Sequence, residues 1–163
     1  GRAAAGRPEG ALELAVESIN RVVAGIDGPL TGVHVCRGNW SQDESVLLSG
    51  SYAPLLLYLA RMHVDQFVLE YATPRAGPVE LLRELPAACS FGLGVVNPRT
   101  VEVESVDAVR ARIAHAVDVL GVERLHVNPD CGFGTFADRP VAASDVAFRK
   151  LRSLAEAVRP WRS

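Results

Sequence analysis

His34, Cys36, Glu70 and Cys131 are the residues of this chain whose types could do chemistry together. His34 and Cys36 stand two apart in HVCRGNW (34–40), Glu70 lies in VLEYATPRAG (68–77), and Cys131 lies in LHVNPDCGFGT (125–135). Side chains two apart on a strand point to one face, so His34 and Cys36 can reach a common ion. One imidazole, two thiolates and one carboxylate form a four-donor set of the kind zinc accepts, with nitrogen at about 2.0 Å and sulfur at about 2.3 Å. Around a dication this set leaves one net negative charge. Such a site is a poor Lewis acid toward water but holds an incoming thiol as its thiolate. Alkyl transfer to sulfur therefore suits the set better than hydrolysis. The plainer reading of a His-x-Cys pair is core filling. Glu70 weighs against it, because it ends the apolar run QFVLEY (66–71), where a carboxylate is costly unless paired or coordinated.

Other polar residues flank these four. Arg37 could hold the carboxylate of an amino-acid substrate, or anchor its own loop. Asn39 and Tyr52 could line a pocket or order the same loop. Asp130 could bind substrate, orient Cys131, or serve the Asn-Pro-Asp turn. Arg99 could act in place of an acid catalyst or bind an anion, and Arg75 could pair with Glu70 or with nearby backbone. His63, His115 and His126 are not expected as ligands, and Cys89 reads as a small core residue. Three cysteines without a CxxC pair argue against a disulfide framework or a zinc ribbon. Gly92-x-Gly94 and Gly132-x-Gly134 lack a phosphate-cradling pattern, and no local motif indicates a Ser-His-Asp arrangement.

The elements that must position these residues alternate. Gly1 to Gly6 read as a frayed start. From Pro8, Leu12, Ala15, Val16, Ile19, Val22 and Val23 recur at helical spacing, ended by Gly25 and Gly28-Pro29. A strand is expected over Thr31 to Cys36, a Ser/Gly-rich loop over Arg37 to Ser51, and a helix from Pro54 to Met62. Gln66 to Tyr71 is an apolar strand suited to a buried parallel sheet. Val79 to Leu85 reads as a short helix and Ser90 to Val96 as a strand. Ser105 caps a helix with Val106, Val109, Ile113, Val117 and Leu120 inward, stopped by Gly121. Arg124 to Asn128 is the last strand. Ser144 or Asp145 caps the last helix, with Val146, Leu151, Leu154 and Val158 inward and Pro160 at its end.

Alternating helices and strands predict an α/β fold built of βα units. Four strands are too few to close a barrel of about eight, so the chain is either a small open sheet or half of a (β/α)8 barrel. His34 and Cys36, Glu70, Asn97 and Arg99, and Cys131 fall at or just past the carboxyl ends of the four strands in turn, which favours the half barrel. The natural division is 1–30 as helix and linker and 31–163 as the half barrel. With 163 residues and 48% hydrophobic content, a sizeable core is possible. A net charge of −2 with no basic stripe argues against nucleic acid or a membrane surface as partner, and the composition suits a cytoplasmic protein.

HVCRGNW, VLEYATPRAG, GLGVVNPRTVEVES (92–105) and LHVNPDCGFGT together resemble the carboxyl-terminal half of the cobalamin-independent methionine synthase family, including its short, single-barrel members. The likeness covers about Thr31 to Ser163. It implies a (β/α)8 barrel, catalytic zinc on His34, Cys36, Glu70 and Cys131, and methyl transfer to the thiol of homocysteine. Arg99 stands where the long enzymes carry a His, which leaves the donor open among methyl-tetrahydrofolate, a methyl-corrinoid and another alkyl donor. The first four barrel strands are not in this chain, so a missing N-terminal half or a partner chain is expected to supply them. Alkyl transfer to another thiol, such as coenzyme M, and a non-catalytic half barrel with structural zinc are the alternatives.

Overall fold

The computed structural model describes residues 8–134 and 136–162. The frayed start expected at Gly1 to Gly6 and the last motif residue, Thr135, lie outside them. The four strands are β1 (Gly32–Val35), β2 (Gln66–Leu69), β3 (Ser90–Val96) and β4 (Leu125–Pro129). They form one parallel sheet in the order β1-β2-β3-β4. The helices are α1 (Pro8–Val23), α2 (Leu56–Leu59), α3 (Val106–Leu120) and α4 (Ser144–Ala157).

Alternation within the strands sorts the sheet into two faces. Phe67, Leu69, Phe91, Leu93 and Val95 are all nearly inaccessible and join Val109, Ile113, Ala116, Leu120 and Ala157 in the core under the helices. The opposite face carries the row His34, Val68, Gly92 and His126. His34 and His126 are exposed there. This is what half a barrel must look like, with one face sealed by helices and the other meeting no second half. β1 and β4 are the two edges, each with one neighbouring strand. No helix among the described residues is long and apolar enough to cross a membrane.

Several local expectations are corrected. The helix expected from Pro54 to Met62 is a 3-10 turn, Ala53–Leu55, followed by one α-turn, Leu56–Leu59. The Val79 segment is also 3-10, over Val79–Glu84. β1 and β2 end before Cys36 and Glu70, so both residues sit just past the ladder. Ser105 caps α3 as expected, its hydroxyl accepting from the Ala108 N–H. At α4, however, the N-cap is Ala143, with no side-chain cap bond. Leu151 is not inward but 44% exposed, whereas Lys150 is fully buried. The reason is Lys150 itself. Its ammonium reaches Glu104 (2.8 Å), Thr100 and the Glu102 carbonyl, and this turns α4 so that Val146, Lys150, Leu154 and Ala157 face in. Val22 is 74% exposed because α1 packs mainly on α2 and, among its side chains from Gly10 onward, buries Val16 alone.

Candidate metal centre

Three of the four candidate ligands converge. A nitrogen of His34 and the sulfurs of Cys36 and Cys131 all lie within 4.8 Å of one another. His34 Nδ1 is 2.9 Å from the Val68 carbonyl, which can only accept, so Nδ1 carries the proton. Nε2 then carries the lone pair that a metal could take, and it lies 3.5 Å from Cys131 Sγ. An imidazole whose other nitrogen is fixed by a carbonyl is the usual arrangement of a metal-bound histidine. Glu70 Oε1 is 3.5 Å from Cys131 Sγ on the other side. Burial, then the nearby Cys36 and Glu70, push the Cys131 thiol well above its ordinary value. A cluster that resists another negative charge in this way is one that a dication would relieve. The donor set therefore fits zinc.

The candidate ligands are placed by irregularities at the strand ends. Pro129 has no N–H, and the β3–β4 register shifts between Gly94 and Val96 opposite it. The ladder resumes with Asp130 N–H donating to the Val96 carbonyl at 2.9 Å. Asp130 thereby lies directly over Gly94, where a Cβ would meet its Oδ1 at 2.2 Å and its Cα at 2.8 Å. Only glycine admits this approach. Gly38, at φ +105°, does the same for the loop after Cys36, since any Cβ would strike the Trp40 ring at 2.1 Å.

Beneath the ligands lies a buried layer of charge. Arg99 is completely inaccessible, and each of its nitrogens meets a different carboxylate. Nε donates to Glu44 at 3.1 Å, Nη1 to Glu70 at 3.0 Å and Nη2 to Asp130 at 3.0 Å. Asp130 Oδ1 also accepts from the N–H groups of Tyr71 and Ala72. Burial still pushes its carboxyl up to about 6, outweighing these bonds and Arg99. Glu70 Oε2 accepts from the Arg37 backbone N–H at 2.9 Å and lies 3.7 Å from Arg75. The pairing expected of Arg75 is thus present.

The remaining flanking residues fall into place around this layer. Arg37 is 8% exposed, donates to the Gly50 carbonyl and stacks over Tyr52 at 4.0 Å, which anchors its loop. The Tyr52 hydroxyl donates to the Val35 carbonyl and accepts from the Glu70 N–H, joining the ends of β1 and β2. Burial raises its pKa to about 12, so it remains a neutral donor. Asn39 donates to the Gly132 carbonyl at 2.6 Å and ties the two cysteine loops together. His115 pairs with Glu80 on the surface, and Cys89 is buried, its thiol near the Val64 carbonyl. Beside His34 and Cys131 lies a cleft of about 500 Å³, bordered by Val68, Asn128, Phe133 and Leu151.

Glu44 was not legible as part of this layer, because it sits in a Ser/Gly-rich loop with no periodic signal. Gly94 left a trace in the Gly92-x-Gly94 pair, which puts two side-chain-free positions on one face of a buried strand.

The family model for the catalytic domain of cobalamin-independent synthases matches residues 33–157. The chain belongs to this family. Methionine synthases of Pyrococcus abyssi and Thermococcus kodakarensis are 34% and 31% identical to it over 148 and 147 residues. These matches cover 91% and 90% of this chain but 38% of each relative. Among solved structures, a B12-independent methionine synthase from Shewanella sp. W3-18-1 superposes with a TM-score of 0.80 at 19% identity. That match covers 94% of this chain and 44% of the other. It establishes the fold as half of a TIM-type barrel. The chain thus spans about two fifths of the length of the relatives it matches.

Proposed function

We propose that this chain carries the zinc-binding half of a cobalamin-independent methionine synthase site, used to methylate the thiol of homocysteine or a close analogue. The observation that carries the reading is the convergence of His34 Nε2, Cys36 and Cys131, with His34 Nδ1 fixed on Val68. Bound zinc would hold the substrate sulfur as a thiolate, ready to attack a methyl group. His34, Cys36 and Cys131 would be constant ligands. Glu70, one carboxylate oxygen turned to Cys131 and the other to Arg37, would be the fourth. Arg99 would act as a positioning residue, since all its nitrogens are engaged by carboxylates in a buried layer. Tyr52, Arg37 and Asp130 would hold the ligand-bearing strand ends, and Asn39 would close the loops above them. The open sheet face and unpaired edge strands support a second set of βα units, covalent or separate, that completes the barrel and supplies the donor side of the pocket. The methyl donor would be methyl-tetrahydrofolate or a methyl-corrinoid.

The test is zinc content by elemental analysis of protein purified without added metal. About one zinc per chain is expected. Cys36→Ser and Cys131→Ser should each lower zinc affinity by tenfold or more. Full retention of zinc in both variants would refute the ligand assignment.

A further inference from the structure

Glu44 stands on the 3-10 turn Glu44–Val46 of the loop between β1 and α2. It does not cap that turn. Asp43 does, accepting from the Ser45 N–H. Glu44 instead reaches into the charge layer, where Oε1 accepts from Arg99 Nε at 3.1 Å and from Asn97 Nδ2 at 3.0 Å. Its Oε2 lies 4.0 Å from Arg75 Nε. Arg99 and Arg75 are two of the cations that also hold Glu70, at 3.0 and 3.7 Å. Three guanidiniums, Arg37, Arg75 and Arg99, thus oppose three carboxylates, Glu44, Glu70 and Asp130. Glu70 Oε1 lies between Arg99 Nη1 and Cys131 Sγ. The more of the arginine charge Glu44 takes up, the less is left to draw Glu70 away from the metal side. Glu44 is itself about a third exposed, but Arg99 and Glu70 are buried, where Coulomb attraction at about 3 Å is strong enough for that competition to matter.

We propose that Glu44 is a positioning residue for the metal centre, acting through Arg99 and Arg75 to keep Glu70 available as a ligand. This rests on the zinc reading above.

The test uses cobalt(II) as probe on the full chain, reading affinity together with the thiolate-to-cobalt and d–d absorption bands. Glu44→Gln keeps the shape and removes the charge. It should weaken cobalt binding about tenfold and shift the d–d bands, while the thiolate band is retained. Asp43→Ala loosens the same turn without touching the charge layer and should behave as wild type. Adding Arg75→Gln to Glu44→Gln removes a matching cation and should restore affinity toward wild type, whereas a purely structural role would make the two losses add. Unchanged affinity and bands in Glu44→Gln would overturn the proposal, as would an Asp43→Ala effect equal to it or a failure of the double variant to recover. If wild type binds no cobalt, the metal reading falls with it; if only Glu44→Gln is silent, that reading stands and this one alone is lost.

Discussion

Asp130 is a carboxylate held in place at a cost. Its two oxygens meet Arg99 and the Tyr71 and Ala72 N–H groups, yet burial leaves its carboxyl at about 6 against an ordinary 3.8. A raised acid binds more protons folded than unfolded across that interval. Its contribution to stability must therefore fall as pH rises from 3.8 to about 6 and stay level above. In denaturation of metal-free protein, wild type should lose stability relative to Asp130→Asn as pH rises from 3.8 to about 6, with no further relative loss above; a constant difference across this range would refute it. Lys150 poses the simpler case. Its buried ammonium is bonded to Glu104 at 2.8 Å and to backbone and hydroxyl oxygens beside it. Lys150→Met should cost roughly 3 kcal/mol, because it strands the acceptors in a closed site. A loss under about 0.5 kcal/mol in chemical denaturation would show that the pair is not structurally important.

Among the elements, β3 does the most to shape the site. It pairs on both sides, and all of its residues after Ser90 are buried. Its Gly94 receives Asp130 and so sets where the β4 turn delivers Cys131. Gly94→Ala should destabilise the fold by about 1–3 kcal/mol, since the new methyl would strike the Asp130 carboxylate, which is pinned by its own hydrogen bonds, and the Asp130 Cα behind it. It should also weaken metal binding, because the displaced residue adjoins the proposed ligand Cys131. Calorimetry and zinc titration of the same preparation would separate the two effects, and intact metal affinity would disprove the link. The strands and α3 were readable because their apolar periodicity is strong. The Pro54 and Val79 segments were not, since short apolar stretches beside proline do not distinguish a 3-10 turn from an α-helix.

At the scale of the whole molecule, the sheet has two open edges and one uncovered face. Exposed strand edges invite pairing with another chain. The chain alone should therefore associate with itself or with a complementary half, as sedimentation over a concentration series would reveal; a stable monomer at every concentration would count against it. Amide exchange should be slowest in β2 and β3, which have neighbours on both sides, and faster in β1 and β4. Equal protection across all four strands in the isolated chain would mean that the edges are already covered.

The ligand types, their order along the chain and the βα alternation follow from the sequence by itself, because periodicity and residue chemistry are local properties. His34 and Cys36 could be paired on spacing alone. That Cys131 joins them, that Glu70 is shared with three arginines, and that Glu44 belongs to the same layer depended on the tertiary structure. Apart from the local Arg75–Glu70 pair, those contacts join residues 29 to 97 positions apart. They exist only once parallel strands align their carboxyl ends and a proline-induced shift drops Asp130 onto Gly94.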